Sequence, residues 1–456
     1  MDGISFGTDG WRATLDLFTS DRVRAVAQAT ADYLDAKGHA GETVAVGYDA
    51  RETSRGFADD IADVLATNGF DVVLPERDCP TPLVAHAIVE RDLAGALVVT
   101  ASHNPPEYNG VKFIPSDGAP ALPAVTEAIE ANLREPIEGD QTGEIREVDL
   151  VESHAEHCLD LVDTDLSGLT VVYDAMHGSG RGVTDALLER AGADVVRERC
   201  SRDPEFGGTP PEPDEANLQG LALAVDEHDA DFGVANDGDA DRVAVVTPER
   251  GVLDGNRFYV LAYDYLLERD AGPAVRTVST TFLVDRIADA HDCEVVETPV
   301  GFKWVASAMG EHDARFGGEE SGGYTMRGHV REKDGVLMAL LAGAAAAETP
   351  LDDRLDAIEA EFGDIHQDKV SVDCPDDRKP VVLDELADRL PDEVAGVAVE
   401  RVNDADGFKI LLADGSWLLV RPSGTEPKLR VYAEADSTDR VADLLDAGRD
   451  LVEPLV

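Results

Sequence analysis

The chain has 456 residues, 43% of them hydrophobic, with 93 acidic and 39 basic residues and a formal net charge of -54. That length exceeds one ordinary core and implies three or four domains, and so negative a field repels nucleic acid and anionic membranes. No apolar run approaches the ~18 residues that a membrane span needs and the N-terminus shows no signal peptide, so a cytoplasmic protein is expected.

Ile4 to Asp16, ISFGTDGWRATLD, opens the chain with a Gly-Thr-Asp-Gly turn beside Arg12. A helical spacing follows over Asp21 to Tyr33, then a strand and loop over Thr43 to Arg51. Ser54 to Asn68 reads as a second helix, Val72 to Leu74 as a strand and Pro82 to Glu90 as a helix. Ala96 to Val99 is a short β-branched run that reads as a buried strand. Strands alternating with helices imply an α/β layered unit. The pattern recurs with a strand and Gly-rich turn from Leu169 to Gly180, a helix from Val183 to Ala191 and a β-run at Asp194 to Arg197. An irregular Pro/Gly-rich loop is expected from Phe206 to Leu218, and a strand spills into a polar loop over Ala230 to Arg242. A third unit begins at Thr277 to Ala288. The last ninety or so residues differ, with a helix at Leu383 to Leu390, strands near Lys409 to Leu412, Trp417 to Val420 and Leu429 to Ala433, and a final helix. The expected fold is three similar α/β domains of mixed-sheet layers followed by a smaller α+β domain, divided as 1–152, 153–251, 252–364 and 365–456.

Ser102 stands at the exposed end of the Ala96 to Val99 strand, in TASHNPPEYNGVKF, with His103 beside it and Lys112 ten residues on. No Gly-x-Ser-x-Gly elbow surrounds it, so acyl transfer is a poor fit and phosphoryl transfer the better one. NDGDADR places Asp237, Asp239 and Asp241 at alternate positions in a strand-end loop, a hard oxygen cluster suited to Mg²⁺. In so acidic a chain such a triplet arises by chance roughly four times, and it is the buried strand before it, Gly238 and Arg242 after it that single this one out. Arg421, Ser423, Gly424 and Thr425 surround a turn in RPSGTEPKLR, where hydroxyls, backbone N–H groups and a guanidinium suit a phosphate dianion, with Arg430 as a second cation. GGEESGG, read alone, is a solvated turn. Three of only eight lysines, Lys112, Lys303 and Lys428, fall inside these strings.

TASHNPPEYNGVKF resembles the phosphoserine loop of the α-D-phosphohexomutases, and FGTDGWR, DGDADR, GGEESGG and RPSGTEPK resemble the same family's other motifs, spanning essentially the whole chain. The resemblance implies that Ser102 carries a phosphoryl group and that Arg12 reaches the active site. It places one Mg²⁺ on Asp237, Asp239, Asp241 and an oxygen of phosphorylated Ser102. Glu319 and Ser321 would bind adjacent sugar hydroxyls, with Arg242 and Lys303 as further substrate contacts and the bulky Phe302 and Trp304 under the ring. Some relatives carry a histidine where Gly323 or Phe302 stands here, which leaves Lys112, helped by His103 or His329, as the acid/base, provided its pKa is lowered.

The implied reaction interconverts hexose 1-phosphate and hexose 6-phosphate, glucose preferred and mannose possible, with a hexose 1,6-bisphosphate as activator. Both sugar-contact strings look like those of the glucose and mannose enzymes rather than the glucosamine ones. The alternatives are a phosphoglucosamine mutase, a metal-dependent sugar-phosphate phosphatase and a silent sugar-phosphate binder. Hexose phosphates are the expected partners, and a monomer or small homo-oligomer the expected state. Five scattered cysteines without a C-x-x-C pair suggest reduced thiols rather than a zinc or disulfide framework. At ~1 M salt the Debye length falls to about 3 Å, so the acidic surface reads as a halophilic adaptation.

Overall fold

The computed structural model describes residues 3–7, 9–424 and 426–456. Four sheets follow one another along the chain. The first has six strands in the order Trp11–Thr14, Tyr108–Pro115, Gly95–Val99, Thr43–Tyr48, Asp71–Pro75 and Ile145–Val148. Tyr108–Pro115 runs antiparallel to both of its neighbours and the remaining pairs are parallel, a mixed sheet. The second orders Gly251–Val252, Val243–Thr247, Phe232–Asn236, Thr170–Asp174 and Asp194–Glu198. The third orders Val295–Thr298, Ala274–Thr277, Phe316–Gly318 and Tyr324–Met326. The fourth is antiparallel throughout and carries six strands, ending in the helix Thr438–Val452.

The central strand Gly95–Val99 is buried along its whole length, which is why its sequence reads as an uninterrupted apolar run rather than an alternating one. Helix Gly335–Glu348, GVLMALLAGAAAAE, is apolar on every face and buried from Gly335 to Ala346. It packs against the Val151–Val162 and Gly255–Leu267 helices and the Phe232–Asn236 and Val243–Thr247 strands, so it is a core helix shared by the second and third sheets. Among the described residues no single helix is long and apolar enough to cross a membrane.

The elements expected in the first half are present with small shifts, such as Ser20–Lys37 for the first helix and Thr81–Glu90 for the third. The loop after Phe206 is irregular apart from a three-residue 3-10 turn at Phe206–Gly208. Differences concentrate in the second half. Two strands of the last domain, His366–Asp373 at one sheet edge and Val397–Asn403 next to the other, escaped sequence reading because half-exposed and exposed polar residues interrupt their apolar ones, and its helix is Lys379–Ala387 rather than Leu383 to Leu390. Within the expected third domain, 252–364, the Thr277 to Ala288 segment is preceded by helix Gly255–Leu267, whose Asp254 cap accepts from the Arg257 N–H.

Candidate active site

Ser102 lies near the start of the loop that follows Gly95–Val99, in a left-handed backbone conformation with φ of 49°. Such a conformation is costly for a non-glycine residue and persists where surrounding contacts over-determine it. Here they do. Arg51 is buried and inserts its guanidinium under the loop, donating to the carbonyls of Ser102 at 2.9 Å, Asn104 at 2.6 Å, Pro105 at 2.6 Å and Tyr108 at 3.1 Å. Its Nε pairs with Asp49 at 3.0 Å. The Ser102 N–H donates to Thr100 Oγ1 at 2.8 Å.

The aspartate loop meets this serine from the second domain. The Ser102 hydroxyl donates to Asp237 Oδ2 at 2.6 Å. A Cβ on Gly238 would lie 2.6 Å from the Ser102 carbonyl oxygen, so only glycine allows the two loops to approach this closely. Asp239 accepts at 2.7 Å from Thr81 Oγ1, at the start of the Thr81–Glu90 helix.

Three cations enter the same volume. Lys112 Nζ lies 2.7 Å from Asp241, 3.1 Å from Asp239 and 3.2 Å from Asp9. Lys333 Nζ lies 3.1 Å from both Asp9 and Asp241. Arg12 donates to Asn104 at 3.1 Å and to Asp9 at 3.2 Å. Burial works against the charge on Lys112, but Asp239, Asp241 and Asp9 outweigh it and hold its amine well above the ordinary value. The expectation of a lowered Lys112 pKa is therefore corrected: in this arrangement it is a fixed ammonium. His103 goes the other way. Arg242, burial and Arg12 push its imidazole down to about 2, leaving a neutral ring whose Nδ1 stands 3.3 Å from Ser102 Oγ.

The carboxylate oxygens of Asp237, Asp239 and Asp241 lie within 4.8 Å of one another, and one oxygen of Asp239 and one of Asp241 are buried without a hydrogen-bond partner. Burial and the charges of Asp239 and Asp241 push Asp237 well above the usual carboxylate range. Orphaned oxygens and mutual repulsion among hard donors are what a small divalent cation relieves, so the loop fits a metal of the Mg²⁺ type.

The sugar string adjoins this loop, because the Val243 N–H, one residue past Arg242, donates to the Gly322 carbonyl at 3.0 Å. Glu319 is buried and accepts the Gly301 N–H at 2.8 Å. Burial and then Glu320 push its carboxyl up to about 7. Ser321 is exposed and Lys303 half-buried, its amine lowered by that burial. The expected Phe302–Trp304 pair does not form a ring platform. Phe302 begins helix Phe302–His312 and belongs to the core with Val305 and Met309. His329 is likewise buried away from Ser102, hydrogen-bonded to Asp334.

In the last domain Arg421 pairs with Asp406 at 2.9 Å, and Asp406 also accepts the Val300 N–H at 3.1 Å from the third domain. Arg430 pairs with Glu426 at 2.5 Å. Lys379 donates at 2.6 Å to the Ser423 and Glu426 carbonyls, fixing the turn that presents the exposed Gly424. Thr425 lies outside the described residues.

Asp9, Arg51 and Lys333 are the site residues that sequence reading passed over. Asp9 stood inside the FGTDGWR string and Lys333 was one of eight lysines, but only their meeting across the fold singles them out.

Matches to known families agree with this construction. The chain matches the phosphoglucomutase/phosphomannomutase alpha/beta/alpha domains I, II and III at residues 3–139, 150–251 and 254–362, and the C-terminal domain at 370–451. It is 34% identical to a probable phosphoglucosamine mutase of Methanopyrus kandleri, over 100% of this chain and 99% of the relative. It is 32% identical to a phosphoglucomutase/phosphomannomutase of Thermococcus kodakarensis, over 99% of each. A Thermus thermophilus structure described as a phosphomannomutase superposes with a TM-score of 0.86 at 33% identity, covering 99% of both chains. The chain belongs to the α-D-phosphohexomutase family. Its members are isomerases that act by transferring a phosphoryl group, and sugar phosphates are its substrate class.

Proposed function

We propose that this chain interconverts hexose 1-phosphates and hexose 6-phosphates, with glucose preferred over mannose, through a phosphorylated Ser102 and a bisphosphorylated sugar. The observation that carries the reading is the Ser102 hydroxyl, buried at a strand's end and 2.6 Å from Asp237, among aspartates and cations contributed by three domains. Mg²⁺ held by Asp237, Asp239, Asp241 and an oxygen of phosphorylated Ser102 would supply charge withdrawal from the bridging oxygen.

A free sugar hydroxyl attacks phosphorus, an O–P bond forms, and the bond to Ser102 Oγ breaks. The hydroxyl loses one proton and Oγ gains one. Arg12, Lys112 and Lys333 place three fixed positive charges against the phosphoryl oxygens. The neutral His103 ring is the group free to exchange the proton, since the phosphoryl dianion offsets the guanidiniums that hold it deprotonated. Glu319 and Ser321 receive sugar hydroxyls, with Lys303 and Arg242 beside them. Arg421, Ser423, Gly424, Arg430 and Thr425 hold the non-reacting phosphate, at either end of the sugar in turn. A hexose 1,6-bisphosphate would prime an unphosphorylated serine.

A second reading, an amino-sugar phosphate, is favoured by the name of the Methanopyrus kandleri relative and by the adjacent carboxylates Glu319 and Glu320, which suit an ammonium. A panel of hexose 1-phosphates with Mg²⁺ and a trace of bisphosphate at high salt tests both. Glucose 1-phosphate is expected to have the highest kcat/KM and glucosamine 1-phosphate the lowest. A value for glucosamine 1-phosphate above those of both neutral hexoses overturns the preference, and free phosphate as main product overturns the mutase reading in favour of hydrolysis.

A further inference from the structure

Behind the aspartate loop four histidines meet at the junction of three domains. His86 comes from helix Thr81–Glu90, His154 and His157 from helix Val151–Val162, and His329 from the turn before helix Gly335–Glu348. Asp334, the cap of that last helix, is buried among them. Its Oδ2 lies 2.6 Å from His154 Nε2 and 2.8 Å from His329 Nε2, and all three donor atoms fall within 4.8 Å of one another. His157 Nε2 stands 3.1 Å from His329 Nδ1. The His86 ring lies 5.5 Å from that of His154 and 6.2 Å from that of His329, centroid to centroid.

Hydrogen bonding accounts for Asp334 but not for the whole cluster. His86 is only 9% exposed, and its Nδ1 is buried with no partner. A buried polar nitrogen left unsatisfied costs ~1–3 kcal/mol and calls for an explanation. Several imidazoles, one carboxylate and the Cys158 sulfur 3.6 Å from His154 Nε2 make a donor set unlike the all-oxygen aspartate loop.

We propose that His154, His329 and Asp334 form a second metal site, for a borderline transition ion of the zinc class, and that the neighbouring His86, whose Nδ1 has no partner, turns in as its fourth ligand and so ties the first three domains together. Neutral imidazole with one carboxylate is a standard tetrahedral set for such an ion. Bonds of ~2.0–2.1 Å separate neighbouring ligands by roughly 3.3 Å, so the His154–Asp334 and His329–Asp334 pairs, now 2.6 and 2.8 Å apart, open by roughly 0.5–0.7 Å as the ion replaces the shared proton. The site is coupled to the first by short links. Thr81, at the head of the His86 helix, bonds Asp239, and Lys333, adjacent to Asp334, bonds Asp241.

The test uses full-length, EDTA-treated protein at high salt with excess Mg²⁺ to fill the aspartate loop, titrated with Co²⁺. One equivalent should bind with the intense visible absorption of four-coordinate cobalt, be displaced by Zn²⁺, raise the melting midpoint, and persist in Asp237→Asn. His154→Gln should weaken binding by more than the ~10–100-fold that loss of an outer partner costs. His86→Ala removes a ring whose Nδ1 has no partner and leaves the Asp334 hydrogen bonds intact, so it tests the site even where His154→Gln fails to fold. Absence of the absorption in the unaltered protein, or undiminished cobalt binding in folded His86→Ala and His154→Gln proteins, overturns the proposal.

Discussion

The guanidinium of Arg51 donates at 2.9 Å to the backbone carbonyl of Ser102, and through three further carbonyls of the same loop it holds the serine in its left-handed conformation. The position of the nucleophile thus depends on a residue that never touches substrate. Arg51→Met should cost roughly 3–5 kcal/mol, because Asp49 and four carbonyls lose their buried partner. Arg51→Lys keeps the charge but not the fork, and should lower kcat more than it raises KM. Urea unfolding and steady-state kinetics on both variants check this; wild-type kcat in a folded Arg51→Met would show that the loop holds itself.

Ser102→Ala should fold as the wild type does and lose at least about a thousandfold in turnover, since it removes the proposed phosphoryl acceptor. The intact mass of the wild type incubated with glucose 1,6-bisphosphate should rise by one phosphoryl group, and that of the variant should not. Phosphorylation of the alanine variant would move the acceptor elsewhere.

Glu319 carries a pKa raised to about 7 by burial and by Glu320, against an ordinary value of 4.5. A carboxyl raised on folding binds its proton more tightly in the native state, so stability is greatest below the unfolded value and declines as pH rises from about 4.5 through about 7. Glu319→Gln removes that penalty. The variant's melting temperature should therefore exceed the wild type's increasingly over this window and level off above it. Parallel melting curves across the range would contradict a Glu319 carboxyl that holds its proton more tightly in the fold.

Removing salt should loosen the fold. With a net charge of -54, dilution from molar to millimolar KCl lengthens the Debye screening distance from about 3 Å to beyond 30 Å, and the acidic surface then repels itself. The melting midpoint should fall steeply with dilution, as read by circular dichroism. A midpoint that does not move would argue against halophilic adaptation.

Local chemistry made much of this protein legible before any fold was known. The β-branched run Ala96 to Val99 is a strand because it is buried on both faces, and DGDADR is a loop because three carboxylates and a glycine cannot continue the Phe232–Asn236 strand before it. Such signals lie within a few residues of one another, where spacing and period can be read. Lys333 and Asp9, 324 positions apart, and His154 and Asp334, 180 apart, leave no periodic trace. Their pairing exists only because strand-end loops and helix ends of three domains converge on one volume. The same convergence decided the charge states: Lys112 is an ammonium because three carboxylates from two domains surround it, and His103 a neutral ring because two arginines do. Sequence determines which groups are present, but the field each one feels is set by neighbours that only the packed tertiary structure supplies.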